Sequence, residues 1–191
     1  SRINTKGGLE FENTAPLPSK LQNSSQADDI QTYLSLIQYS DEALRELIEH
    51  YKSIDEPTMI VFFGDHQPSF ASELVKTYYP DKSTQEQRLI GSATPFIIWT
   101  NYDSPSEEDI VVSPSILGAM VAQQAGFDLP ALPNLIMSRI YPKISVAHEA
   151  GVVSRENGTI YDIDHLPENL QTEWDKWQKL CYYYLFDFQT R

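Results

Sequence analysis

The chain has 191 residues, enough for one domain or at most two. Apolar residues make up 41% and charged residues 21%, a balance that supports a packed core and argues against wholesale disorder. A formal net charge of −13, from 27 acids against 14 lysines and arginines, argues against a nucleic-acid binder and against charge-driven docking on an anionic membrane.

Cys181 is the only cysteine, so neither a disulfide nor a cysteine-based zinc cluster forms within the chain. No apolar run reaches the ~18 residues that a membrane span needs. The chain opens at Ser1-Arg2-Ile3 without an initiator methionine or a signal peptide, and is read as a piece of a longer protein. Residues 1–27 are polar and carry Gly7-Gly8, Pro16 and Pro18, which favours a loop. Ser24, Ser25 or Asp28 caps a helix expected over about residues 28–52. Ile30, Tyr33, Leu34, Ile37, Leu44, Ile48 and Tyr51 form its stripe, interrupted by Asp41.

After Asp55-Glu56-Pro57, residues 58–63 form a short continuous apolar run, and residues 95–100 form a second. Continuous apolar character suits strands covered on both faces of an α/β sheet. Between them lie a helix over residues 72–79 and a polar stretch to Ser92. Residues 103–109 read as a solvated acidic turn. Ser113-Pro114 opens a helix as N-cap and first helical residue, Gly126 ends it, and a short helix follows over residues 132–140. Residues 143–163 shift to a strand period with a hairpin turn at Glu156-Asn157-Gly158. Pro167-Glu168 starts a last helix, whose stripe of Leu170, Trp174, Trp177, Leu180, Cys181, Tyr184, Leu185 and Phe188 reads as a packing surface.

Chemistry concentrates at Val61-Phe62-Phe63-Gly64-Asp65-His66-Gln67-Pro68. Ligands in open α/β sheets sit beyond the carboxyl ends of strands, where Asp65 and His66 are placed. A hard carboxylate oxygen beside a neutral imidazole nitrogen suits manganese, zinc or iron better than calcium. Gly64 removes bulk where the chain bends, and Pro68 fixes the exit. A structural alternative has Asp65 capping the turn and His66 bonding locally. His50, His148 and His165 read as ordinary surface or structural residues, and Arg88, Arg139 and Arg155 show no grouping that suggests a phosphate clamp.

Phe63-Gly64-Asp65-His66-Gln67-Pro68 resembles the metal-binding motif of the lipoteichoic acid synthase-like (phosphoglycerol transferase) branch of the sulfatase and alkaline phosphatase superfamily. Tyr33-Leu34-Ser35-Leu36-Ile37 with Ser40-Asp41-Glu42-Ala43-Leu44, Asp55-Glu56-Pro57-Thr58, Thr94-Pro95-Phe96-Ile97-Ile98-Trp99 and residues 182–186 resemble its flanking helix, strand approach, next core strand and closing helix. The resemblance runs from about Gly7 to the end. It implies an α/β fold: the C-terminal half of an alkaline-phosphatase-like domain, with a mixed sheet, flanking helices and a late β-hairpin, so that residues 1–191 are a single partial domain.

The family's members are extracytoplasmic enzymes, tethered to a bacterial membrane by upstream helices. They hold a divalent ion, typically manganese, between an early Glu, a nucleophilic Thr and the Asp-His pair. The Thr attacks a phosphodiester such as phosphatidylglycerol, and an acceptor hydroxyl then takes the glycerol phosphate. By this resemblance Asp65 and His66 are metal ligands, for manganese first and zinc, magnesium or calcium as alternatives. The Glu and Thr have no counterpart here, so no catalytic nucleophile is assigned, the missing N-terminal half is a required partner, and the fragment alone is expected to be inactive. Ile3-Asn4-Thr5-Lys6-Gly7-Gly8-Leu9-Glu10-Phe11 resembles the segment where a substrate-binding His precedes a Gly-rich turn, which makes Lys6 a candidate phosphate contact. Two other readings stand beside this one: hydrolysis of a sulfate or phosphate ester within the same superfamily, and a non-catalytic module binding envelope glycans or protein.

Overall fold

The structure, a computed structural model, describes the backbone of residues 3–6 and 9–187 and the side chains of residues 12–186. Strand β1 (Ile3–Lys6) pairs antiparallel with β2 (Leu9–Glu12), with Ile3 opposite Glu12 and Lys6 opposite Leu9. The segment expected as loop therefore carries two short strands. A Gly-Gly pair between two four-residue runs is a hairpin pattern, and the loop reading gave it too little weight. Residues 13–15 strap onto helix α1 (Ala27–Lys52). Asn13 Nδ2 donates to Thr32 Oγ1 at 3.1 Å, and the Ala15 N–H donates to Ser35 Oγ at 3.1 Å.

The long helix runs within a residue of its expected bounds, but only its first half is well covered. Ile30 packs with Leu21 and Phe70 in a small core, flanked by Leu17, Tyr33, Leu34 and Leu74. Further along the expected stripe, Ile37 is exposed, as is the neighbouring Leu47, and Leu44 is buried.

Strands β3 (Met59–Phe63) and β4 (Phe96–Thr100) pair antiparallel in full register, from Met59 opposite Thr100 to Phe63 opposite Phe96. Helices α2 (Ala71–Tyr78) and α3 (Thr84–Ser92) lie between them in sequence. The second helix falls in the stretch read only as polar. Its start is a capping box, with Ser83 accepting from the Glu86 N–H and Glu86 accepting from the Ser83 N–H. The two strands were expected to be covered on both faces, and the structure differs. Phe62, Phe63 and Ile97 are 41%, 58% and 45% exposed. Phe62 and Ile97 are direct cross-strand partners, so they form one apolar patch on one face of the ribbon.

The larger core lies in the C-terminal part, among α4 (Pro114–Gln124), α5 (Ala131–Leu135), the π-type turn Ile136–Ile140 and α6 (Glu168–Tyr182). Ile116, Ile136, Ile140, Ile144, Val152 and Trp177 are its buried centre. They pack against a three-stranded sheet of β5 (Ile144–His148), β6 (Gly151–Ser154) and β7 (Ile160–Tyr161). The late hairpin is present, with Gly158 at φ 70° in its turn. Every strand pairing among the described residues is antiparallel, where a mixed sheet was expected.

Ser113 stands at the N-cap position of α4, but its hydroxyl does not cap the helix. It accepts from the Ala147 N–H at 2.7 Å and donates to the Ala147 carbonyl at 3.1 Å, stitching α4 to β5. The acidic loop is tied down too. Glu107 pairs with Arg155 at 2.6 Å and accepts from the Tyr141 hydroxyl at 3.0 Å, and Arg155 lies 3.8 Å over the Tyr141 ring. The expected stripe divides: Trp177 is buried and Trp174 packs beside it at 5.7 Å, whereas Leu185, past the end of α6, is exposed, as are the nearby Tyr182 and Phe186. Phe188 lies outside the described residues. No described helix is long and apolar enough to cross a membrane.

Candidate metal centre

Strand β3 carries the chain to Gly64, and the ladder continues one step past the strand: the Gly64 N–H donates to the Pro95 carbonyl at 3.0 Å. The Thr94 hydroxyl donates to the Gly64 carbonyl at 2.8 Å, and Gln67 Nε2 donates to the Ala93 carbonyl. The turn is therefore held on both sides by residues 93–95. A Cβ added to Gly64 would sit 2.9 Å from Thr94 Cβ. Gly64 does not have a positive φ, so glycine is demanded here by close approach of Thr94 and not by a left-handed bend. Beyond the turn the Ala71 N–H donates to the Pro68 carbonyl, and Phe70 is buried edge-on against Tyr33 at 5.6 Å. Both ends of the motif are thus fixed, one by a strand and one by a small core.

The two expected ligands project from this held turn. The side chains of Asp65 and His66 are 83% and 79% exposed, so neither is consumed by packing. Asp65 Oδ1 accepts from the His66 N–H at 2.8 Å, which is the local turn contact foreseen as the structural alternative, and it leaves Oδ2 free. His66 Nδ1 lies 3.0 Å from the Gln67 carbonyl. A carbonyl only accepts, so neutral His66 carries its proton on Nδ1 and its lone pair on Nε2. Nε2 and Asp65 Oδ2 are 3.5 Å apart. Bonds of ~2.1 Å at a tetrahedral angle place two donors ~3.4 Å apart, and an octahedral ion asks for ~3 Å. A hard oxygen and an imidazole nitrogen at that spacing fit one divalent ion.

Among the described residues no group of three or more His, Cys, Asp or Glu side chains is arranged to hold a metal. The pair is a partial donor set. The backbone of Lys6 lies in β1, and its side chain lies outside the described residues. The other histidines have local roles: His50 contacts Tyr51 edge-on at 5.1 Å, His148 Nδ1 accepts from the Ala150 N–H at 3.0 Å, and His165 closes a short 3-10 turn. Arg88, Arg139 and Arg155 are each engaged with an acid (Glu149, Glu173 and Glu107) and form no clamp. Sequence reasoning quoted Gln67 and Thr94 within longer motifs but gave neither a role of its own. The available signal was Thr94-Pro95 immediately before the second apolar strand.

The sulfatase family model matches residues 9–127, which is more than half of the chain and includes the whole Asp65–His66 turn. A Rhizobium meliloti protein named for cyclic beta-1,2-glucan modification is 27% identical over 133 residues, covering 66% of this chain and 20% of its own length. The capsular polysaccharide biosynthesis protein RkpI of the same organism is 36% identical over 58 residues, covering 29% of this chain and 10% of its own length. In structure, the chain is similar to the Streptococcus pyogenes phosphoglycerol transferase GacH, solved with sn-glycerol-1-phosphate. The TM-score is 0.56 at 16% identity, over 90% of this chain and 41% of that one. The matches thus span less than half the length of each of these proteins, and the α/β fold with flanking helices is similar to part of the GacH structure. The chain belongs to the sulfatase family.

Proposed function

We propose that this chain is the part of a cell-envelope phosphoglycerol transferase that supplies Asp65 and His66 to a divalent ion, manganese first among the candidates. One observation carries the reading: in a sulfatase-family chain, two exposed donor atoms, Asp65 Oδ2 and His66 Nε2, sit 3.5 Å apart at the end of a strand. Segments outside residues 1–191 supply the remaining ligands and the nucleophile. The exposed Phe62–Ile97 patch beside the site supports this, because an apolar ribbon of two strands is marginal until something packs on it. The substrate is a phosphodiester such as a phosphatidylglycerol headgroup, and the acceptor is an envelope polysaccharide. The glucan and capsule relatives and the glycerol phosphate bound to GacH support those classes. The parent works at the extracytoplasmic face of the membrane.

The roles of the residues follow from their chemistry. Asp65 offers anionic charge and is an acceptor only, so it is a ligand and not a proton donor. His66 offers Nε2 while the Gln67 carbonyl holds its other nitrogen in the right tautomer, a typical outer-shell arrangement for a metal-bound imidazole. A divalent ion at this place supplies charge neutralisation for phosphoryl oxygens and a lowered pKa for a bound nucleophile.

In the parent enzyme, Asp65→Ala or His66→Ala should abolish glycerol phosphate transfer while the fold, followed by circular dichroism, is retained. Wild-type turnover in either variant removes the ligand assignment. Release of free glycerol phosphate without any labelled polysaccharide would instead make the parent a hydrolase.

A further inference from the structure

We infer that Thr94 is a positioning residue for the Asp65–His66 pair, acting through the backbone of Gly64. The inference rests on the metal-ligand reading above for its purpose, and on hydrogen-bond geometry for its content.

The carbonyl of Gly64 and the N–H of Asp65 belong to one planar peptide unit. Fixing the carbonyl direction therefore fixes the plane from which the Asp65 side chain departs. Thr94 Oγ1 does this with a 2.8 Å hydrogen bond. The preceding peptide is fixed by the Gly64 N–H bond to Pro95 at 3.0 Å, and the far side of the pair by the Gln67 bond to Ala93. The two side chains are held only locally, Asp65 Oδ1 by the His66 N–H and His66 Nδ1 by the Gln67 carbonyl, and are largely exposed. Those local bonds are anchored on the backbone of the turn, so the spacing of Oδ2 and Nε2 depends on its peptide planes, and the Thr94 hydroxyl bonds the plane between Gly64 and Asp65. Thr94 suits the task in a second way. Its Cβ lies only 2.9 Å from the point a Cβ on residue 64 would occupy, so Thr94 approaches the Gly64 backbone closely. The β-branch restricts χ1 further. The hydroxyl makes the bond, and the β-branch is a secondary restraint on it.

Two substitutions separate positioning from bulk stability. Thr94→Val keeps the shape and removes the hydroxyl. Thr94→Ser keeps the hydroxyl and removes the methyl. In the metal-free chain, 15N relaxation should show the Asp65 and His66 amides losing order in Thr94→Val and keeping it in Thr94→Ser, with β3 unchanged in both. In the parent enzyme, where the remaining ligands are present, paramagnetic broadening of the His66 ring protons by manganese(II) should titrate with an affinity at least tenfold weaker in Thr94→Val, the scale of outer-shell losses at metal sites, and near wild type in Thr94→Ser. Thr94→Val with unchanged amide order at residues 65 and 66 overturns the proposal. So does a lowered melting temperature with unchanged manganese affinity. If manganese leaves the wild-type His66 signals untouched, the metal reading fails, and the relaxation result still decides whether Thr94 orders the turn.

Discussion

Asn101, the residue directly after β4, holds the other end of the ribbon, and its removal should have a large effect for a single side chain. Its Nδ2 donates toward the carbonyls of Tyr51, Ile54 and Glu56 at 3.2, 3.1 and 2.9 Å, and its Oδ1 accepts from the Thr58 N–H at 2.8 Å. One side chain thereby joins the end of α1, the loop that follows it and the approach to β3. Two amide hydrogens serve three carbonyls, so the set amounts to three net bonds and not four. At about 1 kcal/mol each, with the half-buried Thr58 N–H left without its acceptor, Asn101→Ala should cost about 3 kcal/mol. For a chain of this size that is roughly a 6–12 °C fall in melting temperature. Urea unfolding followed by tryptophan fluorescence, to which Trp99 inside β4 contributes, measures it. Asn101→Asp is the control. It keeps an acceptor for Thr58 but aims a carboxylate at three carbonyls. It should cost at least as much at neutral pH and recover stability in acid, as the carboxyl is protonated and regains a donor. A loss below 1 kcal/mol in Asn101→Ala, or an Asp variant indifferent to pH, would refute this account of the junction.

Two further perturbations test other parts of the fold. Gly64→Ala places a Cβ 2.9 Å from Thr94 Cβ between two hydrogen-bonded backbones, so it should destabilise by about 1–3 kcal/mol, the cost of overpacking, and Thr94→Gly in the same chain should return part of that loss in a double-mutant cycle. Glu173 is only 2% exposed and receives Arg139, Lys143 and Lys176 at 2.9, 3.4 and 3.3 Å. Burial alone would raise its pKa, but hydrogen bonds from Arg139 and then Lys176 outweigh it and hold the carboxyl below its ordinary value of 4.5. A lowered folded pKa means stability fully present above the unfolded value and lost as pH falls through the folded one. Melting temperature should therefore drop with acidification below about pH 4.5, and Glu173→Gln should be less stable at pH 7 and show a flatter acid limb.

Elements whose signal is local were readable in the sequence, and elements that depend on distant partners were less so. The long helix, the last helix and the Asn-Gly hairpin each carry their own periodicity or turn chemistry, and each lies where expected. Helix α3 was locally marked too, by Ser83 and Glu86, but its weakly apolar face hid it. The two apolar strands were located within a residue or two, and their surroundings were not foreseen. A continuous apolar run states that both faces of a strand avoid water. It does not say whether the covering atoms lie within the same 191 residues. Phe62, Phe63 and Ile97 at a strand end are apolar because something packs there, and no described residue does so fully.

The site shows the same division more sharply. Asp65 and His66 could be singled out as candidate ligands because a ligand must be a particular residue type, and the strand before them fixes where they fall. Thr94 could not, because its contribution is one hydroxyl directed at a backbone carbonyl 30 residues earlier. Such a bond leaves no period, no charge pattern and no motif of its own. Gly64 was noticed, but without the partner that makes it necessary. It was read as removing bulk where the chain bends; the backbone there is not in the left-handed region, and the bulk is excluded by a residue that the reading did not name. What excludes a side chain at 64 is the side chain at 94, so each of these residues is explained only by the other. A glycine beside a candidate ligand is therefore a reason to ask which distant residue occupies the space its Cβ would take, since that residue is the one in contact with the ligand's backbone.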